Sequence, residues 1–259
     1  MTDSSDFPNT YDGLRQLIAR LRGPDGCPWD REQTPLSLRP LLLEECYELI
    51  EAIDDNDAAA ILEELGDVLF HLALQVQVAE EAGLFDQAQV VGALIQKLVR
   101  RHPHVFGDTE VADARQVEAN WEATKRAEKA RPDASLLDGI PKNMPALSYA
   151  RSIQERAARS GFDWEGLSGV LDKVTELLGE MAITRSDEER GRALGDVLFS
   201  VVNAARWMGM DPEGALRQTN RRFYQRFAAM ERISEERGLT LHELPLEAKE
   251  SLWQEAMEG

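Results

Sequence analysis

The stretch Leu41–Leu74, LLLEECYELIEAIDDNDAAAILEELGDVLFHLAL, decides the fold. Leu41, Leu42, Leu49, Ile50 and Ile53 recur on one face before the polar turn 54–57, and Ile61, Leu65, Val68, Leu69 and Leu72 do so after it. Apolar residues at that spacing specify two amphipathic helices, with Asp57 placed to cap the second. Glu45 and Glu48 stand at i and i+3, one turn apart on one side of their helix, and Glu64 and Asp67 have the same spacing. If the chain doubles back at Asp55 and Asn56, the helices run antiparallel, Glu48 faces Glu64 and Glu45 faces Asp67.

Four carboxylates at an interior seam repel one another, and burying them uncompensated is very unfavourable. A hard divalent cation removes the conflict. An all-oxygen donor set without Cys or His favours Mg²⁺, with Mn²⁺ as a substitute, over Zn²⁺. Acidic residues at helical spacing more often form a solvated face. Here they are interleaved with apolar residues on both helices and lack the basic i+4 partners of such a face. Glu44, Glu51 and Glu63 point more outward, although Glu44 is i−4 from Glu48 and stays within its reach.

Composition narrows the function classes. The chain has 259 residues, 43% of them hydrophobic, enough for one large or two smaller domains. A net charge of −18 argues against a nucleic-acid polymer or an anionic membrane as partner, since both need clustered Lys and Arg. It leaves room for a small anion that arrives with its own metal. Two cysteines, Cys27 and Cys46, make no disulfide framework and fit a reducing cytoplasm. The polar start, MTDSSDFPNT, lacks the apolar core of a signal peptide, and no apolar run reaches membrane-span length.

Outside the hairpin the pattern is helical throughout. Helices are expected over 11–22, from about 58 to 82, and over 85–101, 117–129, 149–160, 167–183, 188–208, 212–237 and 246–257. Residues 23–34, GPDGCPWDREQT, read as a loop by their Gly and Pro content. Its Trp29 is either a packing lid or a platform for a ring-shaped ligand. Lys97 and Arg101, at i and i+4, form a basic pair before Pro103. They suit either the helix dipole or a phosphate group. His102 and His104 lack metal-ligand spacing and read as loop residues. No strand alternation is evident, so the fold class is all-α. The run 130–147, with three prolines, reads as an interdomain linker. It gives an N-terminal domain over 8–131, a linker over 132–147 and a C-terminal domain over 148–259.

The two halves are copies. GDVLF occurs at 66–70 and again at 195–199. CPWD, with Trp29, is echoed by FDW, with Trp164. Glu44 and Glu48 are echoed by Glu176 and Glu180, Lys97 and Arg101 by Arg222 and Arg226, and Trp121 by Trp253. The second copy fails where the first is richest. Leu177 stands at the position of Glu45 and Ala193 at that of Glu64, which leaves Glu180 and Asp196 diagonally opposed. Two carboxylates hold Mg²⁺ only weakly. The chemistry is therefore expected in the first half.

With these residues in view, the chain resembles the MazG nucleoside triphosphate pyrophosphohydrolases. EExxE (Glu44, Glu45, Glu48) followed by ExxD (Glu64, Asp67) is similar to that family's signature. CPWD, GDVLF and RRHPHVFGD at 100–108 resemble its full-length, two-domain members. The resemblance implies tandem helical domains assembled as four-helix-type bundles by dimerisation. It also implies Mg²⁺-dependent hydrolysis of NTPs or dNTPs to monophosphate and pyrophosphate. It assigns Glu45, Glu48, Glu64 and Asp67 to the metal, Lys97, Arg101 and Lys125 to the phosphates, and Trp29 and Trp121 to the neighbourhood of the base. In some members the C-terminal domain is the active one, and the losses at Leu177 and Ala193 argue against that here.

Two other readings belong beside it. One is a non-enzymatic helical scaffold whose acidic seam holds a structural cation. The other is a related all-α phosphohydrolase acting on dUTP or a phosphoribosyl nucleotide. A di-iron bundle is disfavoured because neither hairpin contains Glu-x-x-His.

Overall fold

The computed structural model describes residues 7–129, 135–183 and 186–258. Every regular element among them is helical. The chain separates into two compact units, Met1–Ala130 and Arg131–Gly259. Residues 130–134 of the expected linker lie outside the described residues, and 135–145 run as turns.

In the first unit, α1 (Tyr11–Arg22) starts at Thr10, whose hydroxyl accepts from the amide of Gly13 at 3.1 Å. The expected loop 23–34 contains a short helix, α2 (Pro28–Glu32), and this corrects the sequence reading. Pro28 suits a first helical turn, where no amide hydrogen is needed. Gly26 permits the tight approach before it, because a Cβ there would sit 2.1 Å from the carbonyl of Leu21. The Arg22 side chain, 7% exposed, ties three elements together. It donates to the carbonyls of Asp30 and Gln33 and forks the Glu81 carboxylate at 2.7–3.0 Å.

The hairpin is α3 (Leu38–Asp54) and α4 (Ala58–Glu81). Asn56 turns the chain with φ of 53°, a left-handed conformation that Asn tolerates better than most residues. The Asp57 amide donates to the carbonyl of Ala52 at 3.1 Å, which closes the end of α3. The Asp57 side chain caps α4, accepting from Ala59 at 2.9 Å and Ala60 at 3.2 Å. A cap of this kind is worth about 1 kcal/mol.

Beneath the hairpin lies a core of Ile18, Leu38, Ala73, Leu74 and Val78, flanked by Tyr11, Leu14, Leu41 and Phe70. Burying a side chain such as Ile18 or Leu74 contributes about 1.5–3 kcal/mol, so this cluster fixes how α1 and α4 meet. Helices α5 (Gln87–Arg101), α6 (Pro103–Phe106) and α7 (Ala114–Lys129) complete the unit. His104 lies within α6 rather than in a loop.

The second unit repeats the plan. Its elements are α8 (Ala146–Arg159), α9 (Leu167–Ile183), α10 (Asp187–Trp207), α11 (Pro212–Glu236) and α12 (Leu246–Glu258). The two GDVLF segments fall in α4 and α10. Helix α10 packs on both α9 and α8, and α11 packs on α12. Val170, Leu177, Val197, Val202, Met230 and Leu252 are buried. No helix among the described residues is long and apolar enough to cross a membrane.

Candidate functional site

The hairpin brings Glu45 and Glu48 of α3 against Glu64 of α4. One carboxylate oxygen of each lies within 4.8 Å of the others. Glu45 and Glu64 are half-buried and Glu48 is exposed. Oε2 of Glu64 is buried and has no hydrogen-bond donor among the described residues. Asp67, the fourth residue of the expected rectangle, is exposed and stands outside this group of three. It still acts on Glu48 and Glu64 through charge.

The electrostatics record the crowding. Partial desolvation against the facing helix pushes the Glu48 carboxyl above its ordinary value, and the charges of Glu45, Glu44 and Asp67 push it further. Glu64 is raised in the same way, first by burial and then by Glu48, Asp67, Glu63 and Glu45. Three convergent carboxylates, one of them Glu64 with its orphaned buried oxygen, and raised carboxyl groups make a donor set that fits a hard divalent cation.

His71 is the residue that the sequence reading missed here. It is 6% exposed, and its Nε2 lies 3.5 Å from Oε1 of Glu45. It sits four residues after Asp67 and seven after Glu64, on their side of α4. That spacing was the available signal.

The basic residues fall into two groups. Lys97 is exposed on α5, whereas Arg101 is 9% exposed. Arg101 is ion-paired with Glu128 of α7, and Arg100 binds the same carboxylate at 2.7 Å. These bonds, Arg101 first, hold Glu128 down to about 2. The Arg101 guanidinium also lies 5.2 Å from the ring centre of Trp121, against which His102 packs edge-on at 4.8 Å. Lys125 is half-buried on the same helix as Glu128. Trp29, on α2, is 52% exposed.

In the second hairpin, Lys173 donates to Glu176 at 2.7 Å. This bond, together with the charges of Glu176, Glu180 and Asp196, raises the Lys173 ammonium above its ordinary value. By the register that places Glu176 on Glu44, Lys173 stands where the first hairpin has Leu41. The second copy thus lacks two carboxylates and has gained a cation of its own. Of the matching basic pair, Arg222 is exposed and donates to Thr219 at 2.8 Å, and Arg226 is half-buried. Trp253 packs against Phe223 at 5.2 Å.

Comparison with known proteins follows the same outline. The MazG nucleotide pyrophosphohydrolase domain matches residues 33–106. A nucleoside triphosphate pyrophosphohydrolase/pyrophosphatase, MazG, of Thermotoga maritima is 45% identical over 249 residues, 96% of each chain. A nucleoside triphosphate pyrophosphohydrolase of Escherichia coli K12 is 42% identical over 254 residues, 95% of this chain and 97% of that one. An uncharacterized Bacillus subtilis protein is 45% identical across 96% of this chain, which spans 52% of it.

Proposed function

This chain belongs to the MazG family of nucleotide pyrophosphohydrolases, and on that premise we propose that it hydrolyses nucleoside triphosphates, NTP or dNTP, to the monophosphate and pyrophosphate. The reading places the reaction in the first half and makes it Mg²⁺-dependent, with Mn²⁺ as a substitute. The observation that carries it is the cluster of Glu45, Glu48 and Glu64, with the Glu64 Oε2 lacking a donor among the described residues.

In this reading Glu45, Glu48, Glu64 and Asp67 hold the cation. When bound, the cation polarises phosphoryl oxygens and lowers the pKa of water. Water attacks the α-phosphorus, the bond from that phosphorus to the bridging oxygen breaks, and pyrophosphate leaves. The water's proton passes to Glu44 or to one of the clustered carboxylates. Lys97, Arg101 and Lys125 meet the charge on the leaving group. Glu128 holds Arg101 in place, and Trp29 and Trp121 flank the base.

The second unit serves as a structural or regulatory partner. Its Glu176, Glu180, Asp196, Arg222, Arg226 and Trp253 are the remnant of the same site. The protein acts in the cytoplasm as a homodimer, a reading supported by exposed apolar residues along the first hairpin. Leu43, Leu62 and Leu65 are 53%, 76% and 51% exposed, and a partner copy would cover them.

The deciding experiment is pyrophosphate release from an NTP panel with Mg²⁺. Glu45→Gln and Glu64→Gln should each abolish release while the helical circular-dichroism signal persists. Wild-type turnover in either variant would refute the site. A wild-type protein inert toward every triphosphate would leave a cation-binding scaffold instead.

A further inference from the structure

The segment that presents Trp29 has little of its own to hold it. Helix α2 is five residues long, buries only Asp30 and has no side-chain hydrogen bond at its N-terminal cap. A helix that short is marginal without outside support. Trp29 stands exposed on it, so burial does little to fix the ring.

Arg22 supplies the support, and every nitrogen of its guanidinium is in use. Nη1 donates to the carbonyls of Asp30 and Gln33, while Nε and Nη2 fork Glu81 of α4. Gln33 in turn donates from its side-chain Nε2 to the carbonyl of Trp29 at 2.9 Å. The bonds thus run in series from α4 through Arg22 to the main chain of Trp29. Gln77, one turn before Glu81, donates to that carboxylate at 3.0 Å. These bonds, Arg22 first, hold the Glu81 carboxyl below its ordinary value, which keeps the fork charged at neutral pH.

The second copy fastens its tryptophan differently. The register that sets Trp164 on Trp29 sets Ala157 on Arg22 and Asp163 on Pro28. Helix α10 ends at Trp207, about one turn short of where the repeat would place the counterpart of Glu81. Both halves of the first copy's clamp are therefore missing. Instead Arg206, which stands where the first copy has Gln77, forks Asp163. Oδ1 of Asp163 accepts from the amide of Trp164 at 2.9 Å. Each copy thus ties the chain at its tryptophan to its GDVLF helix through an arginine–carboxylate fork, with the two charges exchanged. The partners differ, and the placement of the ring is what both arrangements serve.

We propose that Arg22 is a positioning residue for hydrolysis, acting through α2 to hold the Trp29 ring where the base of the triphosphate lies. The proposal rests on the reading that Trp29 flanks the base and adds to it the device that sets the ring.

The test is steady-state pyrophosphate release by the full chain from ATP, GTP, CTP and UTP with Mg²⁺. For the triphosphates that are turned over, Trp29→Ala should raise KM about tenfold with kcat unchanged, as loss of a stacking ring does. Arg22→Met should raise KM by a similar factor, and amide exchange over 29–34 should quicken while that of α3 and α4 does not. Added to Trp29→Ala, Arg22→Met should cost nothing more, since both remove one interaction. Glu81→Gln keeps the bonds from Arg22 to α2 and loosens only their anchor. It should give a smaller rise in KM, and it serves the same comparison if Arg22→Met does not fold. KM effects that multiply in the double variant would overturn the proposal, because Arg22 would then act by a route other than Trp29. So would a wild-type KM in both Arg22→Met and Glu81→Gln. A wild-type KM in Trp29→Ala would strike the base reading of Trp29, and the proposal with it, while leaving hydrolysis in place. A protein inert toward all four triphosphates would remove the proposed function and this role together.

Discussion

The imidazole of His71 stands 3.5 Å from the carboxylate of Glu45, reaching across the hairpin from α4 to α3. Glu45 is thereby contacted from the opposite helix, at its Oε1. Replacing His71 by Phe keeps the ring volume beside Phe70 and removes the polar contact. Partners of metal-binding carboxylates typically matter about 10–100-fold. His71→Phe should therefore raise the Mg²⁺ concentration for half-maximal pyrophosphate release about tenfold. An unchanged Mg²⁺ dependence would show that α3 alone orients Glu45.

The raised carboxyls of Glu48 and Glu64 predict a pH dependence of metal stabilisation. Below the ordinary carboxylate range, native and unfolded chains both carry these protons and no penalty arises. As pH rises through the raised native values, the native state must ionise against burial first and neighbouring charge second, and stability falls. Mg²⁺ should reverse that fall. Its effect on melting temperature should therefore be smaller at the low end of the carboxylate range than at neutral pH. An effect of equal size at both ends would detach the cation from these two groups.

Glu128, held down to about 2 by Arg101 and Arg100, has the opposite sign. Its contribution is present above the ordinary carboxylate value and is lost as pH falls through about 2. Glu128→Gln should lower the melting temperature at neutral pH. It should also raise KM about tenfold by loosening Arg101, with a smaller change in kcat. A variant with wild-type KM would show that Arg101 serves the contact between α5 and α7 alone.

Lys173 invites a test of its own. Lys173→Met leaves Glu176, Glu180 and Asp196 without their ammonium. In a Glu45→Gln, Glu64→Gln background, where the first site is silent, Mg²⁺ should raise the melting temperature of the Lys173→Met protein more than that of the parent. Equal responses would mean that the second hairpin tolerates its remaining acids through solvent screening.

The helices were legible because their apolar period is long and uninterrupted, and both the hairpin turn and the Asp57 cap follow from local chemistry. α2 was not, because Gly23, Pro24, Gly26 and Pro28 mask five helical residues in a breaker-rich stretch. Convergence of Glu45, Glu48 and Glu64 could be counted from turns alone. The exposure of Asp67 could not, since it depends on how far α4 is rotated. The pairing of Arg101 with Glu128 spans 27 residues of sequence, and nothing local marks it. That Asn203 of the second unit stands where the first has the buried Leu74 is visible only once the repeat has been set in register.

The turn at Asn56 also acts as a ruler. Each residue of helix advances the chain by about 100°. A single residue inserted within α3 beyond Glu48, or within α4 before Glu64, would therefore turn one carboxylate about 100° away from the other. Drift in amino-acid identity at the tip is cheap, but drift in length is not. Only a change of about a whole turn keeps the faces in phase, and the second copy has made one: Glu176 to Gly195 spans three residues fewer than Glu44 to Gly66, while Leu177 and Ala193 replace two of its acids.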